Sequence, residues 1–142
     1  MIKNFKMLFV AALLFVLIGF PAIAATPVTQ TRFLIGRTTT NLANGAVWTS
    51  GAAYAEPYGR IVVVVKASHD SAANGVSIEQ SGDEDCLTNG SANWDYVSQY
   101  TYTATAGAAF SIETVAKCVR VKYTNGGTTS TTLRIYAGLK TF

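Results

Sequence analysis

The sequence has few of the residues from which catalytic and metal centres are built. It contains one histidine, His69, and only 13% of its 142 residues are charged. A single imidazole excludes zinc sites that need several histidines. His69, Asp70 and Ser71 are the residue types of a hydrolase triad, but neighbouring loop residues generally point in different directions, and no Gly-x-Ser-x-Gly nucleophile elbow is present. We therefore expect no enzyme activity and no catalytic residues.

Long apolar runs are absent except near the start of the chain. Lys3 and Lys6 precede an uncharged apolar run, and Ala22-Ile23-Ala24 has the small residues of a cleavage site. This is the pattern of a secretory signal peptide, which we place at residues 1–24, followed by one domain at residues 25–142. The alternative is an uncleaved membrane anchor, but the run is short for a span of about 20 residues.

A large excess of one charge is also absent. The full chain has a net charge of +3, and removal of Lys3 and Lys6 with the signal peptide lowers it to +1. A nucleic-acid partner would require basic residues clustered on one face, and the composition gives no reason to expect this. The signal segment, if it is kept, would be the contact with a membrane.

Cysteine is scarce, with Cys86 and Cys118 as the two examples. In an exported chain an even number of cysteines indicates a disulfide, so we predict a Cys86–Cys118 bond. Two buried free thiols are the alternative. The expected location is secreted, either periplasmic or on the extracellular surface.

Helical periodicity is absent from the mature part, which has alternating strand patterns instead. About eight strand-like runs follow one another at intervals of roughly 8–12 residues, separated by turn residues such as four Asn-Gly pairs. The runs lie at residues 31–35, 46–49, 53–56, 60–67, 76–80, 94–105, 110–114 and, as two strands, 118–139. This spacing predicts an all-β fold, an antiparallel jelly-roll-like β-sandwich of about eight strands.

Two of these runs carry the strongest predictions. Cys118–Leu139 reads as two alternating strands joined by Asn125-Gly126-Gly127, which predicts a hairpin. Arg120, Lys122 and Arg134 then fall on its outward side. Ile61–Val65 is an unbroken apolar run of β-branched residues, which predicts a central strand buried on both faces.

Aromatic residues are the best candidates for ligand binding. We assign Trp94 and Tyr123 to the core, because sandwich cores pack with such side chains. Tyr54 and Tyr58 flank Pro57 in a predicted loop, where aromatic side chains are more available to ligands, so they are the candidate ligand-binding residues. Packing in the core or an incidental surface position is the alternative for both.

Three consecutive acidic residues, Asp83, Glu84 and Asp85, form the candidate metal site. Clustered carboxylates supply the oxygen ligands that Ca²⁺ prefers. The spacing is not that of an EF-hand loop, and a solvated polar turn is the alternative. We expect no other cofactor.

Three segments carry a family resemblance: VSIEQSGDED followed by NWDYVSQYTYTATAGAAFSIE within residues 76–113, AKCVRVKYTNG at residues 116–126, and TTLRI at residues 131–135. Together they resemble β-sandwich modules of phage virion and tail-associated proteins. They are similar, more distantly, to discoidin-type, galactose-binding-like jelly rolls. The resemblance implies a sandwich fold and a structural calcium ion as found in discoidin-like domains. It departs at the internal cysteines and at the signal peptide, and it assigns no ligand residue.

These observations predict an exported, non-catalytic binding or structural module of a cell-surface or extracellular assembly. Its partner would be a protein, which includes a second copy in a homo-oligomer, or a surface glycan. The alternative function is a small carbohydrate-binding, lectin-like domain. Exposed aromatic residues gathered in a concave site favour a sugar, whereas an exposed strand edge or apolar patch favours assembly, because unpaired edges add strands from partners.

Overall fold

The computed structural model describes residues 32–88 and 92–141, and the regular elements in these ranges are β-strands. The predicted signal segment lies outside the described residues. No helix in the described part is long and apolar enough to cross a membrane. The strands are β1 (Arg32–Thr38), β2 (Val47–Thr49), β3 (Ala53–Tyr54), β4 (Arg60–Ala67), β5 (Ser71–Ser81), β6 (Tyr96–Tyr100), β7 (Ala108–Glu113), β8 (Cys118–Asn125) and β9 (Leu133–Lys140).

These strands form two antiparallel sheets that enclose one core. Sheet A has the order β1-β9-β4-β7, and sheet B has the order β2-β8-β5-β6, with the short β3 also paired to β8. Strands at the same position in the two orders are neighbours in the sequence: β1 and β2, β9 and β8, β4 and β5, and β7 and β6. The chain therefore passes repeatedly from one sheet to the other, which is the winding of an eight-stranded jelly roll. The predicted fold class is confirmed.

The predicted hairpin at Cys118–Leu139 is wrong. Both strands form, but β8 pairs with β2, β3 and β5, whereas β9 pairs with β1 and β4. The segment between them crosses the sandwich rather than turning within one sheet. At the start of this crossing a Cβ at Gly126 would lie 2.5 Å from the backbone of Ser71, so only glycine fits there. Alternation shows which side of a strand is buried, but it does not show which strand is its hydrogen-bonded partner. Two strands that face each other across a core have the same alternating pattern as two paired strands.

The expectation that β4 is buried on both faces is also wrong. Ile61, Val63 and Val65 are fully buried, but Val62 is half-buried and Val64 is exposed. A strand in a two-layer sandwich has a covered inner face and an uncovered outer face. The apolar run therefore fills the core with one set of side chains and leaves the other on the outer surface of sheet A.

The aromatic core residues are Tyr123 and Tyr102. The strand predicted over residues 94–105 ends at Tyr100, and Tyr102 turns into the core, where its hydroxyl accepts a hydrogen bond from the Ala67 amide and donates one to the Ala67 carbonyl. Trp94 is only half-buried and packs in a small second cluster beside the disulfide, so its assignment to the main core needs correction. The guanidinium of Arg120 lies 4.1 Å from the centre of the Trp94 ring.

The phenol of Tyr123 makes stability depend on alkaline pH. It is fully buried, and its hydroxyl has no hydrogen-bond partner within the described ranges. Burial, with smaller contributions from Tyr102 and Asp70, raises the pKa of Tyr123 from 10.0 to about 12. The contribution that this raised pKa makes to the stability of the folded chain is fully present below pH 10. Between pH 10 and 12 the unfolded chain loses the proton and the folded chain keeps it, so stability falls by about 1.4 kcal/mol per pH unit.

We expect Tyr123→Phe to remove this alkaline loss. At pH 7 the variant should be as stable as the parent or more stable by about 1 kcal/mol, because no unpaired hydroxyl stays buried. Urea unfolding at pH 7 and at several values above pH 10 measures both effects. Tyr96→Phe, at an exposed tyrosine, is the matched control and should keep the parent's pH dependence. An unchanged alkaline slope in Tyr123→Phe would contradict the assignment.

Candidate functional site

An apolar groove of about 420 Å³ opens at one edge of the sandwich, where β1 and β3 are the outermost strands of their sheets. We call it the edge groove. Its lining residues are Phe33, Leu34, Ile35, Ala52, Ala53, Tyr54, Pro57, Tyr58 and Leu87.

The edge groove exists because the two sheets do not close at this side. Phe33 pairs in register with Leu139, whose side chain is fully buried, so Phe33 faces the interior side of sheet A. It is nevertheless 46% exposed. Its ring centroid lies 6.0 Å from that of Tyr58, which packs against the core from the turn after β3. Other exposed apolar side chains line the same groove, and exposed apolar residues gathered into one patch mark an interaction site.

The structure brings together the two candidate ligand-binding residues, Tyr54 and Tyr58. Tyr54 is exposed and Tyr58 is half-buried, and both line the edge groove. The Tyr58 amide donates a hydrogen bond to the Ala55 carbonyl at 2.9 Å, which fixes the turn around Pro57. Their role in ligand binding stays a prediction.

The side chains that line the edge groove are mostly apolar. Of its nine lining residues, only the two tyrosines carry polar side-chain atoms. A sugar site needs several convergent hydrogen-bonding groups to replace the water around the hydroxyls, because polar groups buried without partners are costly. The groove therefore suits aliphatic or aromatic side chains better than a sugar.

Phe33, Leu34 and Leu87 were not predicted from the sequence as members of this site. A usable signal was present in β1, where Phe33, Leu34 and Ile35 are three consecutive apolar residues. Such a run breaks period-two alternation, and the structure places a register shift in it, between Leu34 and Gly36. Leu87 follows Cys86 and lies on the groove through tertiary packing that no local pattern shows.

Two of the three carboxylates of the acidic turn are engaged with different partners. Asp83 accepts hydrogen bonds from the backbone amide and the side-chain amide of Asn93. Glu84 forms an ion pair with Lys117, and its hydrogen bond holds the pKa of Lys117 above the ordinary value. No group of three metal-ligating side chains converges within residues 32–88 and 92–141. Calcium binding by Asp83, Glu84 and Asp85 stays a prediction.

The basic residues predicted to lie together on a hairpin are separated. Arg120 and Lys122 lie on sheet B and both pair with the buried carboxylate of Glu79, at 2.5 and 2.9 Å. Arg134 lies on sheet A, opposite Lys66. The three residues therefore do not share one face, because β8 and β9 belong to different sheets.

The adjacent residues His69, Asp70 and Ser71 contact three separate partners. His69 Nε2 lies 3.2 Å from the Thr128 hydroxyl, Asp70 accepts a hydrogen bond from the Ala104 amide, and Ser71 accepts one from the Tyr102 amide. These contacts tie the loops at one end of the sandwich together. None of them joins the three side chains as a nucleophile, a base and an orienting acid would be joined.

The disulfide between Cys86 and Cys118 is present, as predicted, with Cα atoms 6.2 Å apart. It attaches the acidic turn to β8, and through Leu87 it holds one wall of the edge groove.

Comparison with known proteins gives two structural matches at very low identity. A protein from the Bacillus endospore appendages, described as a family of disulfide-linked pili, is 8% identical, with 87% of this chain and 99% of that chain covered and a TM-score of 0.37. A family 29 carbohydrate-binding module from Piromyces equi is 11% identical, with 81% and 93% covered and a TM-score of 0.36. No model of a known protein family and no curated protein matches the chain. At these TM-scores the matches carry no conclusion about function, and neither is to a phage protein, so that resemblance stays a prediction.

Proposed function

We propose that this chain is an exported, non-catalytic module that assembles with further copies of itself through the edge groove. The observation that carries the proposal is the inward-facing Phe33, which is left uncovered beside the unpaired edge of β1. Unpaired edges add strands from partners, and apolar grooves beside them receive alternate side chains. The disulfide supports an oxidising location outside the cytosol.

The complementary surface lies on the other edge strand of sheet B. Tyr96 and Val97 are consecutive residues of β6, and both are exposed, at 62% and 45%. Because consecutive strand residues point to opposite faces, only one of the two can enter the groove, and Tyr96 is the larger and the more exposed. It stands on a strand that has a neighbour on one side only. Contact between two different surfaces of identical chains is head-to-tail, which produces open filaments or closed rings.

Complementation between two variants tests this arrangement. Phe33→Lys should block the groove, and Tyr96→Lys should block the inserting strand, so each variant alone should be a monomer where the parent is an oligomer. An equimolar mixture has one intact groove and one intact strand and should form a dimer that grows no further. Light scattering after size exclusion measures all three, and Val115→Lys, at another exposed apolar residue, is the control that should assemble like the parent.

A parent protein that is monomeric at all concentrations would contradict self-assembly. Equal assembly of the Phe33→Lys variant would contradict the groove as its site. The alternative function, a small lectin-like domain, would then be tested on glycan arrays with Tyr54→Ala and Tyr58→Ala, which should lose binding if the tyrosines hold a sugar.

A further inference from the structure

The outer face of sheet A gathers basic residues that are far apart in the sequence. The exposed side of β4 and β9 carries cationic residues at both ends, and β1 adds another. They are Arg37, Arg60, Lys66, Arg134 and Lys140. All eight acidic residues of the chain lie in the described part, and only Glu113 falls on this face. A net charge near +1 therefore conceals one strongly cationic surface.

The basic residues stand directly opposite each other across the strands. Lys66 pairs in register with Arg134, and Arg60 pairs with Lys140. Like charges at directly opposite positions destabilise a sheet. No ion pair among the side chains that the structure describes involves a residue of sheet A. Glu113 stands opposite Arg60 on its other side, whereas no acidic residue of the described strands is paired with Lys66 or Arg134. The repulsion between Lys66 and Arg134 is accounted for if an anion binds there.

An apolar strip separates the two cationic rows. Tyr136 lies at its centre, opposite Val64, and a Cβ at Gly138 would lie 2.8–3.0 Å from the Tyr136 ring and hydroxyl. The ring therefore lies flat over the strand at Gly138, which buries the glycine and leaves the other side of the ring facing outward. An aromatic face presented in this way is a platform for a sugar ring.

Shallow depressions flank Tyr136 on both sides. One, of about 380 Å³, is lined by Arg37, Lys66 and Arg134 among others, and contains no acidic residue. The other, of about 410 Å³, includes Val62 and Lys140. Along β4 the rows at Arg60 and Lys66 are six residues apart, which is about 20 Å. The surface therefore has the form of a flat channel with cations at each end and a ring platform between them.

We propose that this face binds a linear acidic polysaccharide, with a sugar ring on Tyr136 and carboxylate or sulfate groups at the two basic rows. A lipid bilayer fits less well, because Val62, Val64 and Gly138 lie in depressions rather than project beyond the long basic side chains. The surface is separate from the contact between the edge groove and β6, so each proposal can fail without the other.

The test uses an oligogalacturonate long enough to span both rows, its methyl-esterified neutral form, and a heparin-derived oligosaccharide of similar length. We expect calorimetry to show binding of one or both acidic chains, weakening with added salt, and no binding of the neutral form. The carboxylated and sulfated chains distinguish which anion the site takes. Binding of neither acidic chain overturns the proposal, as does equal binding of the neutral chain.

Variants locate the binding on the sheet. Lys66→Gln with Arg134→Gln should weaken binding about tenfold, while the melting temperature should rise because a repulsive pair is removed. Tyr136→Leu should also weaken binding. Lys117→Gln with Lys122→Gln removes the same charge elsewhere and should leave affinity unchanged. An affinity that does not change in the Lys66→Gln, Arg134→Gln variant overturns the proposal. Tighter binding to anionic lipid vesicles or to single-stranded DNA, weakened by the same substitutions, also overturns it.

Discussion

Asn125→Asp is expected to lower the free energy of unfolding by about 4 kcal/mol or more, the largest loss that we expect from a single change. Asn125 is 1% exposed at the end of β8. Its side-chain amide donates to the carbonyls of Leu42, Ala43 and Thr128 at 2.9, 3.1 and 2.8 Å. These bonds hold two loops to the end of the strand that enters the crossing to sheet A.

The substitution keeps the shape of the side chain and reverses its role. A carboxylate offers no hydrogen to the surrounding carbonyls, and a buried unpaired charge is expensive. Because that surrounding raises the pKa of the new carboxyl, part of the loss should be recovered at acidic pH, where the protonated acid donates one hydrogen bond. Urea unfolding at pH 7 and pH 4 measures this effect.

Asn41→Asp is the matched control, since Asn41 is exposed in the same loop region. It makes the same chemical change and should alter stability by less than about 0.5 kcal/mol. Similar losses for both variants would show that added negative charge, rather than the lost hydrogen bonds of Asn125, causes the destabilisation.

Reduction of the Cys86–Cys118 disulfide is the second change with a large expected effect. The bond closes a loop with a sequence separation of 32 residues. The chain-entropy model gives such a loop about 3.5–4 kcal/mol of stabilisation, which corresponds to a loss of roughly 15 °C in melting temperature for a domain of this size. Thermal unfolding followed by circular dichroism, with and without reductant, measures it.

The disulfide has a local role as well as a global one. Cys86, Ala92 and Cys118 form a small buried cluster against which Trp94 packs. We expect Cys86→Ala with Cys118→Ala to reproduce the effect of reductant, and thiol titration must show that reduction is complete. An unchanged melting temperature with both thiols titratable would contradict the expected stabilisation and, because Leu87 is held by the same turn, would also weaken the role of the bond in shaping the edge groove.

Alternation along the chain was sufficient to predict most of the strands and the fold class, and the even number of cysteines in a chain expected to be exported predicted the disulfide. Val76 and Ile78, two residues apart in the strand run predicted at residues 76–80, are both fully buried. The burial of β4 could not be predicted from alternation. The five residues Ile61–Val65 are all apolar and show no alternation. The pattern therefore does not show which of them face the second sheet and which face outward.

The candidate sites were also predicted from the sequence only in part. Tyr54 and Tyr58 were proposed from a predicted loop position, although Tyr54 lies in β3, and tertiary structure added Phe33 and Leu87, which come from distant parts of the chain. The basic face of sheet A depends entirely on tertiary structure, because Lys66 and Arg134 become neighbours only through the pairing of β4 with β9. Net charge is a sum over the chain and contains no information about which side chains share a surface.

The sequence by itself determined which residues form strands, which side of most strands is apolar and which cysteines can bond. These are local properties that backbone periodicity and composition fix. Tertiary structure decided that β8 and β9 face each other across the core instead of pairing, that the edge beside Phe33 stays open, and that the basic residues gather on sheet A. The physical reason is that strand partners are selected by the total burial of the sandwich, a long-range quantity that hairpin signals such as Asn125-Gly126 do not control.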